Sequence, residues 1–249
     1  INLSTLVSDF NSLVALNDRK EQIYNTIIEL GVSKEYNIFY LGDYNKLLKK
    51  THQKLSEINP DYFSVTFGAL GSSQNDTFDT VADLSEDTKI PIIPHLTCVG
   101  IDKKQVTDLL DEYIAQGVNQ IMVLKGDYPK TIIKKGDFNY ANEMVEFIKE
   151  NYFDINILVA AYPEKHPHSN CISTDIDFFV NKVNAGADKA VTQYFYNIDA
   201  YLHFIEEIQK RNIDIPITPG IMPITNYDQL IYFSKACGAE IPAWILNKL

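Results

Sequence analysis

The feature that most constrains this chain is a regular alternation of two residue patterns. Short runs of β-branched and aromatic residues predict buried strands, and the amphipathic stretches between them have helical spacing. Strands that alternate with helices predict βαβ units, and therefore a parallel sheet with both faces covered. The predicted strands recur about every 30 residues, at 36–41, 62–67, 90–98, 120–125, 155–161, 189–196 and 215–222.

The helices are predicted from apolar stripes and from the glycines that follow them. Residues 103–116 and 198–211 carry apolar side chains at i, i+3, i+4 and i+7, which is the spacing of a helix packed on a sheet. Gly117, Gly186 and Gly238 come directly after helical stretches, where a glycine commonly ends a helix. Nearer the N-terminus, segments at 3–16 and 18–30 are expected to be helical, and a capped helix is expected from Asp43 to about Ile58.

Two architectures fit this alternation, an open doubly wound sheet and a closed barrel. No GxGxxG string follows a strand, which disfavours a dinucleotide-binding open sheet. A barrel instead gathers polar residues at the carboxyl ends of many strands. Polar residues that follow successive predicted strands are His95, Thr97, Lys125, Asp127, Tyr162, His166 and Gln193.

We therefore predict an α/β fold with a TIM-type (β/α)8 barrel. The barrel is expected over residues 35–249, after a helical N-terminal extension over residues 1–34. Seven strands are counted where such a barrel has eight, so the last strand is expected to be absent from this chain.

Composition excludes several classes of function. A net charge of −11 and a sequence pI of about 4.9 argue against nucleic-acid binding, which requires the neutralisation of phosphates. The three cysteines are widely spaced and odd in number, which favours free thiols in a reducing compartment. We find neither an 18-residue apolar run nor a signal-peptide pattern, so a cytoplasmic protein without a membrane segment is expected.

The polar residues at the strand ends do not match a metal site or a serine hydrolase. No two histidines among them have i, i+4 spacing, and no GxSxG string occurs. An apolar barrel mouth with Tyr, His, Asp, Lys and Gln suits a planar cofactor or substrate that forms hydrogen bonds. Structural roles remain open for each residue: His95 as a core histidine, Asp127 as a turn residue and Gln193 as an amide paired within the protein.

Seven strings of the sequence resemble one known family. YFSVTFGA, PHLTCVG, VLKGDYP, AAYPEKHP, VNAGADKAVTQYFYN, ITPGIMPITNY and IPAW occur in this order between Pro60 and Trp244. Together they resemble the bacterial-type methylenetetrahydrofolate reductase family. The resemblance implies a TIM-like barrel that binds FAD and reduces 5,10-methylenetetrahydrofolate to 5-methyltetrahydrofolate with NADH or NADPH. It also implies that hydride passes from the nicotinamide to the flavin and then to the folate.

The same resemblance implies roles for individual residues. Asp127 is implied as the catalytic residue beside the flavin, and no metal ligand is implied. Substrate contacts are implied for Asp127, Gln193 and Tyr227. Cofactor contacts are implied for Thr66, Phe67, Ala69, His95, Lys125, Gly126, Asp127, Ala141, Tyr162, His166, Asp175 and Lys182.

The chain departs from the family pattern at several positions. The family's first strand carries a Phe-Glu-Phe-Phe-Pro-Pro type motif with a proton-donating Glu, and here that position falls on Glu35 or within 36–40. Lys125 stands where the family has Arg, and Phe178 and Asn181 stand where it has Asn and Arg. The family's last strand would lie beyond Leu249.

These departures leave two other functions open. The first is a flavin-binding electron-transfer subunit that depends on a protein partner in a larger complex. The second is a barrel without flavin that has a regulatory or binding role. A homo-oligomer is expected for this chain, because such assemblies are common for barrels.

Overall fold

The computed structural model of the chain describes residues 41–66, 74–126, 136–224 and 226–248. These residues form two compact units, one with residues 41–60, 223, 224 and 226 and the other with the rest. The first unit contains helix α1 (Leu41–Ser56). The chain leaves this helix through Asn59, which has a left-handed backbone with φ 51°.

Helix α1 confirms the predicted helix but corrects its start. The helix begins at Leu41, so Asp43 lies within it and does not cap it, and Leu41 does not end a strand. A single glycine, here Gly42, costs a helix only about 1 kcal/mol, which the helix-forming residues after it can offset. The rest of that predicted strand, 36–40, and the predicted helices at 3–16 and 18–30 lie outside the described residues.

The second unit is built on a six-stranded parallel sheet. The strands are β1 (Phe63–Val65), β2 (Ile92–Thr97), β3 (Gln120–Leu124), β4 (Asn156–Ala161), β5 (Lys189–Tyr194) and β6 (Ile217–Gly220). They pair in chain order without a reversal, whereas a doubly wound sheet has a switch point. The hydroxyl of Tyr62, just before β1, reaches the Thr218 side chain on β6. The described sheet is therefore a curled half of a TIM-type barrel, which confirms the predicted fold class.

Helices follow the strands, and two of them confirm the apolar stripes predicted at 103–116 and 198–211. They are α2 (Gln74–Asp87), α3 (Lys103–Ala115), α4 (Ala141–Asn151), α5 (Ile172–Asn184), α6 (Ile198–Lys210), α7 (Tyr227–Cys237) and α8 (Ala243–Leu246). The bounds of α3 and α6 agree with the predicted stretches to within one residue. Gly117, Gly186 and Gly238 have φ of 84°, 115° and 79°, so these glycines end their helices in the left-handed region. In the described ranges no helix is both long and apolar enough to cross a membrane.

The alternation of side chains along the strands sets the core. Ile93, Met122 and Leu158 pack together, and Tyr62, Leu124 and Val191 surround them, so this face of the sheet lines the barrel interior. The opposite face is also buried, for example at Ile121, Ile157 and Val159. Burial on both faces explains why the strands are nearly continuous apolar runs in the sequence.

Candidate active site at the carboxyl ends of the strands

The interior face of the sheet extends to the polar residues at the strand ends. Side chains on one face of a strand recur every second residue. His95 lies two residues after Ile93 on β2, Gly126 two after Leu124, Tyr162 four after Leu158 and Gln193 two after Val191. The alternation therefore directs the His95 side chain toward the barrel interior, and Gly126, Tyr162 and Gln193 lie at or just beyond the carboxyl ends of their strands.

His95 lies within β2, where its register partner is Met122 on β3. Its Nε2 is buried and has no hydrogen-bond partner among the described residues. Burial lowers the pKa of the imidazole from 6.5 to about 4, so the ring is neutral at physiological pH. A buried nitrogen without a partner is unfavourable, and a polar atom of a bound ligand could pair with it.

Gly126 follows β3 and brings the chain close to β2. Its φ is 80°, and a Cβ added there would lie 2.9 Å from Cβ of Thr97. Lys125 precedes Gly126, and its Nζ lies 5.1 Å from the ring centroid of Tyr140, the residue just before α4. Glycine at 126 thus holds the β3 loop against β2, and it leaves Lys125 as an exposed cation beside this edge of the barrel.

The loop after β4 is organised by Asp175 from α5. One carboxylate oxygen of Asp175 accepts from the His166 backbone N–H at 3.0 Å, and the other accepts from the Ser169 hydroxyl at 2.6 Å. The ring of His166 packs edge-on against Tyr162, with centroids 4.7 Å apart. Burial lowers the pKa of His166, and the charge of Asp175 opposes this shift. Asp175 therefore positions the Tyr162–His166 pair.

Lys182 extends from α5 toward the end of β4, where its Nζ donates to the carbonyl of Ala160. Burial lowers its pKa from 10.5 to about 8, and Asp175 opposes the shift. The charges of Lys125 and Lys182 both lower the pKa of His166, so the two lysines lie within electrostatic range of that ring. This cluster gives an acidic protein a local positive region that can attract an anion.

Helix α7 packs over the end of β5. The hydroxyls of Tyr194 and Ser234 are 3.2 Å apart, and burial raises the pKa of Tyr194 well above its usual range. The amide oxygen of Gln193 accepts from the Tyr194 backbone N–H at 3.0 Å. Between β4, β5 and the end of α7 lies a small pocket with an empty volume of about 170 Å³, and Tyr162 and Gln193 are among its lining residues.

The pocket also contains Glu164, which lies in the string AAYPEKHP but was not among the predicted site residues. One carboxylate oxygen of Glu164 accepts from the backbone N–H of Glu240 at 3.0 Å. The other is buried and without a partner among the described residues. Burial raises the pKa of this carboxyl, and the charge of Glu240 acts in the same direction. A glutamate between two prolines in a strand-end loop was the available signal.

The remaining predicted residues have different placements. Thr66 directly follows β1 and is exposed, Ala141 is buried as the first residue of α4, and Tyr227 is exposed as the first residue of α7. Among the described residues, no hydrogen bond or ring contact joins Tyr227 to Tyr162, His166 or Asp175. Four candidates lie outside the described residues, namely Glu35, Phe67, Ala69 and Asp127.

The described side chains form a suitable donor set for a planar, phosphate-bearing ligand. His95 offers a buried nitrogen, Gln193 offers an amide N–H group, and Lys182 offers a cation. In the described part of the chain no group of three His, Cys, Asp or Glu side chains could hold a metal ion.

Sequence comparisons with known proteins point to one family. A family model described as methylenetetrahydrofolate reductase matches residues 28–249. The 5,10-methylenetetrahydrofolate reductase of Pectobacterium carotovorum subsp. carotovorum is 32% identical over 232 residues, which are 92% of this chain and 77% of that protein. The enzyme so named in Buchnera aphidicola subsp. Schizaphis graminum is 38% identical over 82% of this chain and 69% of that protein. For the Escherichia coli K12 protein of that name, identity is 32%, with coverage of 87% and 72%.

Solved structures with little sequence similarity share the fold. A phosphonopyruvate hydrolase in complex with oxalate and magnesium matches with a TM-score of 0.53 at 14% identity, covering 76% of this chain and 70% of that one. An oxaloacetate acetylhydrolase in complex with oxalate matches with a TM-score of 0.52 at 14% identity, covering 70% and 65%. Identity at this level supports the fold alone, whereas the family match and the more similar sequences establish kinship: this chain belongs to the methylenetetrahydrofolate reductase family.

Proposed function

We propose that the protein uses FAD and NADH or NADPH to reduce 5,10-methylenetetrahydrofolate to 5-methyltetrahydrofolate. The observation that carries this proposal is the family match over residues 28–249, together with relatives that bear the reductase name at 31–38% identity. A rice relative, 32% identical over 204 residues, is named "Probable methylenetetrahydrofolate reductase (NADH)". That name supports NADH as the first nucleotide to test.

The carboxyl end of the half-barrel supports a flavin site. The residues that would hold FAD are Thr66, Phe67, Ala69, His95, Lys125, Gly126, Asp127, Ala141, Tyr162, His166, Asp175 and Lys182. Among the described residues, the buried Nε2 of His95 suits a polar atom of a ring, and Lys182 suits a phosphate. A bound flavin would supply the hydride-transfer chemistry, while the protein supplies orientation and electrostatics.

Each side chain of the site has a proposed task. His95 takes part as a neutral ring, because its pKa lies at about 4. Asp175 holds His166 and Tyr162 in place through the loop after β4. Gln193 binds a carbonyl group of the substrate through its amide N–H, Tyr227 stacks on the substrate, and Asp127 binds the pterin and tunes the flavin.

An anaerobic stopped-flow experiment tests the function. The purified protein is loaded with FAD, reduced with NADH or NADPH, and then mixed with methylenetetrahydrofolate while flavin absorbance is recorded. We expect bleaching by a nucleotide and recovery on addition of the folate. A flavin-loaded protein that neither nucleotide reduces would contradict the proposal, and it would favour the partner-dependent electron-transfer subunit.

Variants separate FAD binding from catalysis. We expect Lys182→Met to weaken FAD binding by about 10-fold, because a charge-assisted hydrogen bond to phosphate is lost. The matched control is Lys210→Met on α6, an exposed lysine paired only with Glu207 in the described residues. We expect Asp127→Asn to retain FAD but to slow reoxidation by the folate. Equal FAD affinity in the two lysine variants would refute the role of Lys182.

A further inference from the structure

The pocket beside Gln193 presents polar groups that have no partner among the described residues. It lies between the loop after β4, the end of β5 and the residues after α7, and its empty volume is about 170 Å³. Tyr162, Glu164, Gln193 and Cys237 are among its lining residues.

Glu164 supplies a hydrogen-bond acceptor to this pocket. Its Oε2 is occupied by the backbone N–H of Glu240 at 3.0 Å, which fixes the orientation of the carboxyl group. Its Oε1 is buried and has no partner among the described residues. A buried carboxylate oxygen without a donor is unfavourable. An N–H group brought by a ligand would relieve that cost.

Gln193 supplies the complementary donor. Its Oε1 accepts from the backbone N–H of Tyr194 at 3.0 Å, and this bond fixes which end of the amide remains for a ligand. The Nε2 group donates no hydrogen bond to another of the described residues. The pocket wall therefore offers an acceptor from Glu164 and a donor from Gln193. An amide edge, in which an N–H group adjoins a carbonyl, complements both.

We propose that Glu164 is a further substrate-binding residue, which accepts a hydrogen bond from the N–H of an amide-bearing ring while Gln193 binds its carbonyl. The inference rests on the proposed function, because both the pterin of a folate and the carboxamide of a nicotinamide carry such an edge. A ligand whose ring lacks the N–H donor leaves the Glu164 oxygen unpaired, so Glu164 selects against it.

Equilibrium binding to the FAD-loaded protein tests the proposal with two unreactive probes, folic acid and NAD⁺, measured by calorimetry. Glu164→Gln keeps the size of the side chain and an acceptor for Glu240 but removes the charge. We expect it to weaken binding of one or both probes by about 10-fold or more, and the affected probe identifies the ligand. Glu146→Gln, an exposed glutamate on α4, is the matched control and is expected to change both affinities less than twofold.

A structural role for Glu164 would have a different signature. If Glu164 only joined the two loops, Glu164→Gln would lower the thermal midpoint and FAD affinity, and binding of the probes would change only in proportion; that result overturns the proposal. Unchanged affinity for both probes in Glu164→Gln, with weaker binding in Gln193→Ala, also overturns it and leaves the proposed function intact. A wild-type protein that binds neither probe overturns both.

Discussion

Replacing Gly126 with alanine tests how tightly the loop after β3 packs against β2. Two conditions at this position favour glycine. The backbone has φ 80°, and an added Cβ would lie 2.9 Å from Cβ and 3.3 Å from Cγ2 of Thr97. Gly117 provides a matched control, because its φ is 84° but nothing lies within 4 Å of an added Cβ.

The two glycines separate backbone strain from steric overlap. A left-handed backbone costs an L-residue about 1–2 kcal/mol, and this cost applies to both substitutions. The backbone of β2 fixes the position of the Thr97 Cβ, so rotation of the Thr97 side chain cannot move that atom away from the new methyl group. Overpacking of this kind costs about 1–3 kcal/mol more, and it applies to Gly126→Ala alone. We expect Gly126→Ala to be less stable than Gly117→Ala by roughly 2 kcal/mol.

Thermal unfolding of the two variants and the wild type measures this difference. For a chain of this length, a loss of 2 kcal/mol corresponds to a fall in Tm of about 4–8 °C. Because Gly126 adjoins the proposed flavin site, FAD affinity should also fall in Gly126→Ala and remain unchanged in Gly117→Ala. Equal Tm values for the two variants would refute the packing argument, since backbone strain alone would then account for both losses.

Three further predictions concern charged and titratable groups. Asp188→Ala should destabilise the protein by about 2–3 kcal/mol, because its carboxylate accepts from a buried β4 backbone N–H at 2.7 Å and pairs with a lysine at 2.8 Å. Asp177 pairs with an arginine 3.5 Å away at an exposed site, so Asp177→Ala should lower the free energy of unfolding by less than about 1 kcal/mol. Urea titrations of the two variants and the wild type measure both losses. The pKa of His95 is lowered in the folded protein, so protons bind preferentially to the unfolded chain as pH falls. Stability should therefore drop by on the order of 3 kcal/mol between pH 6.5 and about 4, and His95→Gln should show a smaller drop over that range. Asp175→Asn should lower the pKa of His166 further, because Asp175 opposes the effect of burial, and an NMR titration in which the pKa rises would contradict this.

Much of the barrel could be predicted from local pattern. The amphipathic period of residues 198–211 predicted α6 to within one residue, because the stripe records the face that packs on the sheet. Strand ends were less accurate, as β6 covers Ile217–Gly220 and not the predicted 215–222. Pro216 has no N–H to donate to the ladder, and the β5–β6 register shifts between Val191 and Tyr194. The ends of a strand depend on its pairing with the neighbouring strand, and a single sequence does not show that pairing.

The site shows the same division. The residue types that follow the strands, such as His95, Tyr162 and Gln193, were visible because polar groups stand out at the ends of apolar runs. Their ionisation was not visible: only burial lowers the pKa of His95 to about 4 and that of Lys182 to about 8. Glu164 was not assigned a role, because the burial of its carboxylate and its hydrogen bond from the Glu240 backbone depend on residues distant in sequence.

The sequence by itself determined the order of strands and helices, the faces they bury and the family to which the chain belongs. These properties depend on residue type and spacing, which are local. Only the tertiary structure decided which polar atoms are paired, such as those of Asp175 with the loop from His166 to Ser169, and which remain available, such as those of Glu164 and Gln193. Hydrogen bonding and desolvation depend on distances between residues far apart in the chain, and folding alone fixes those distances.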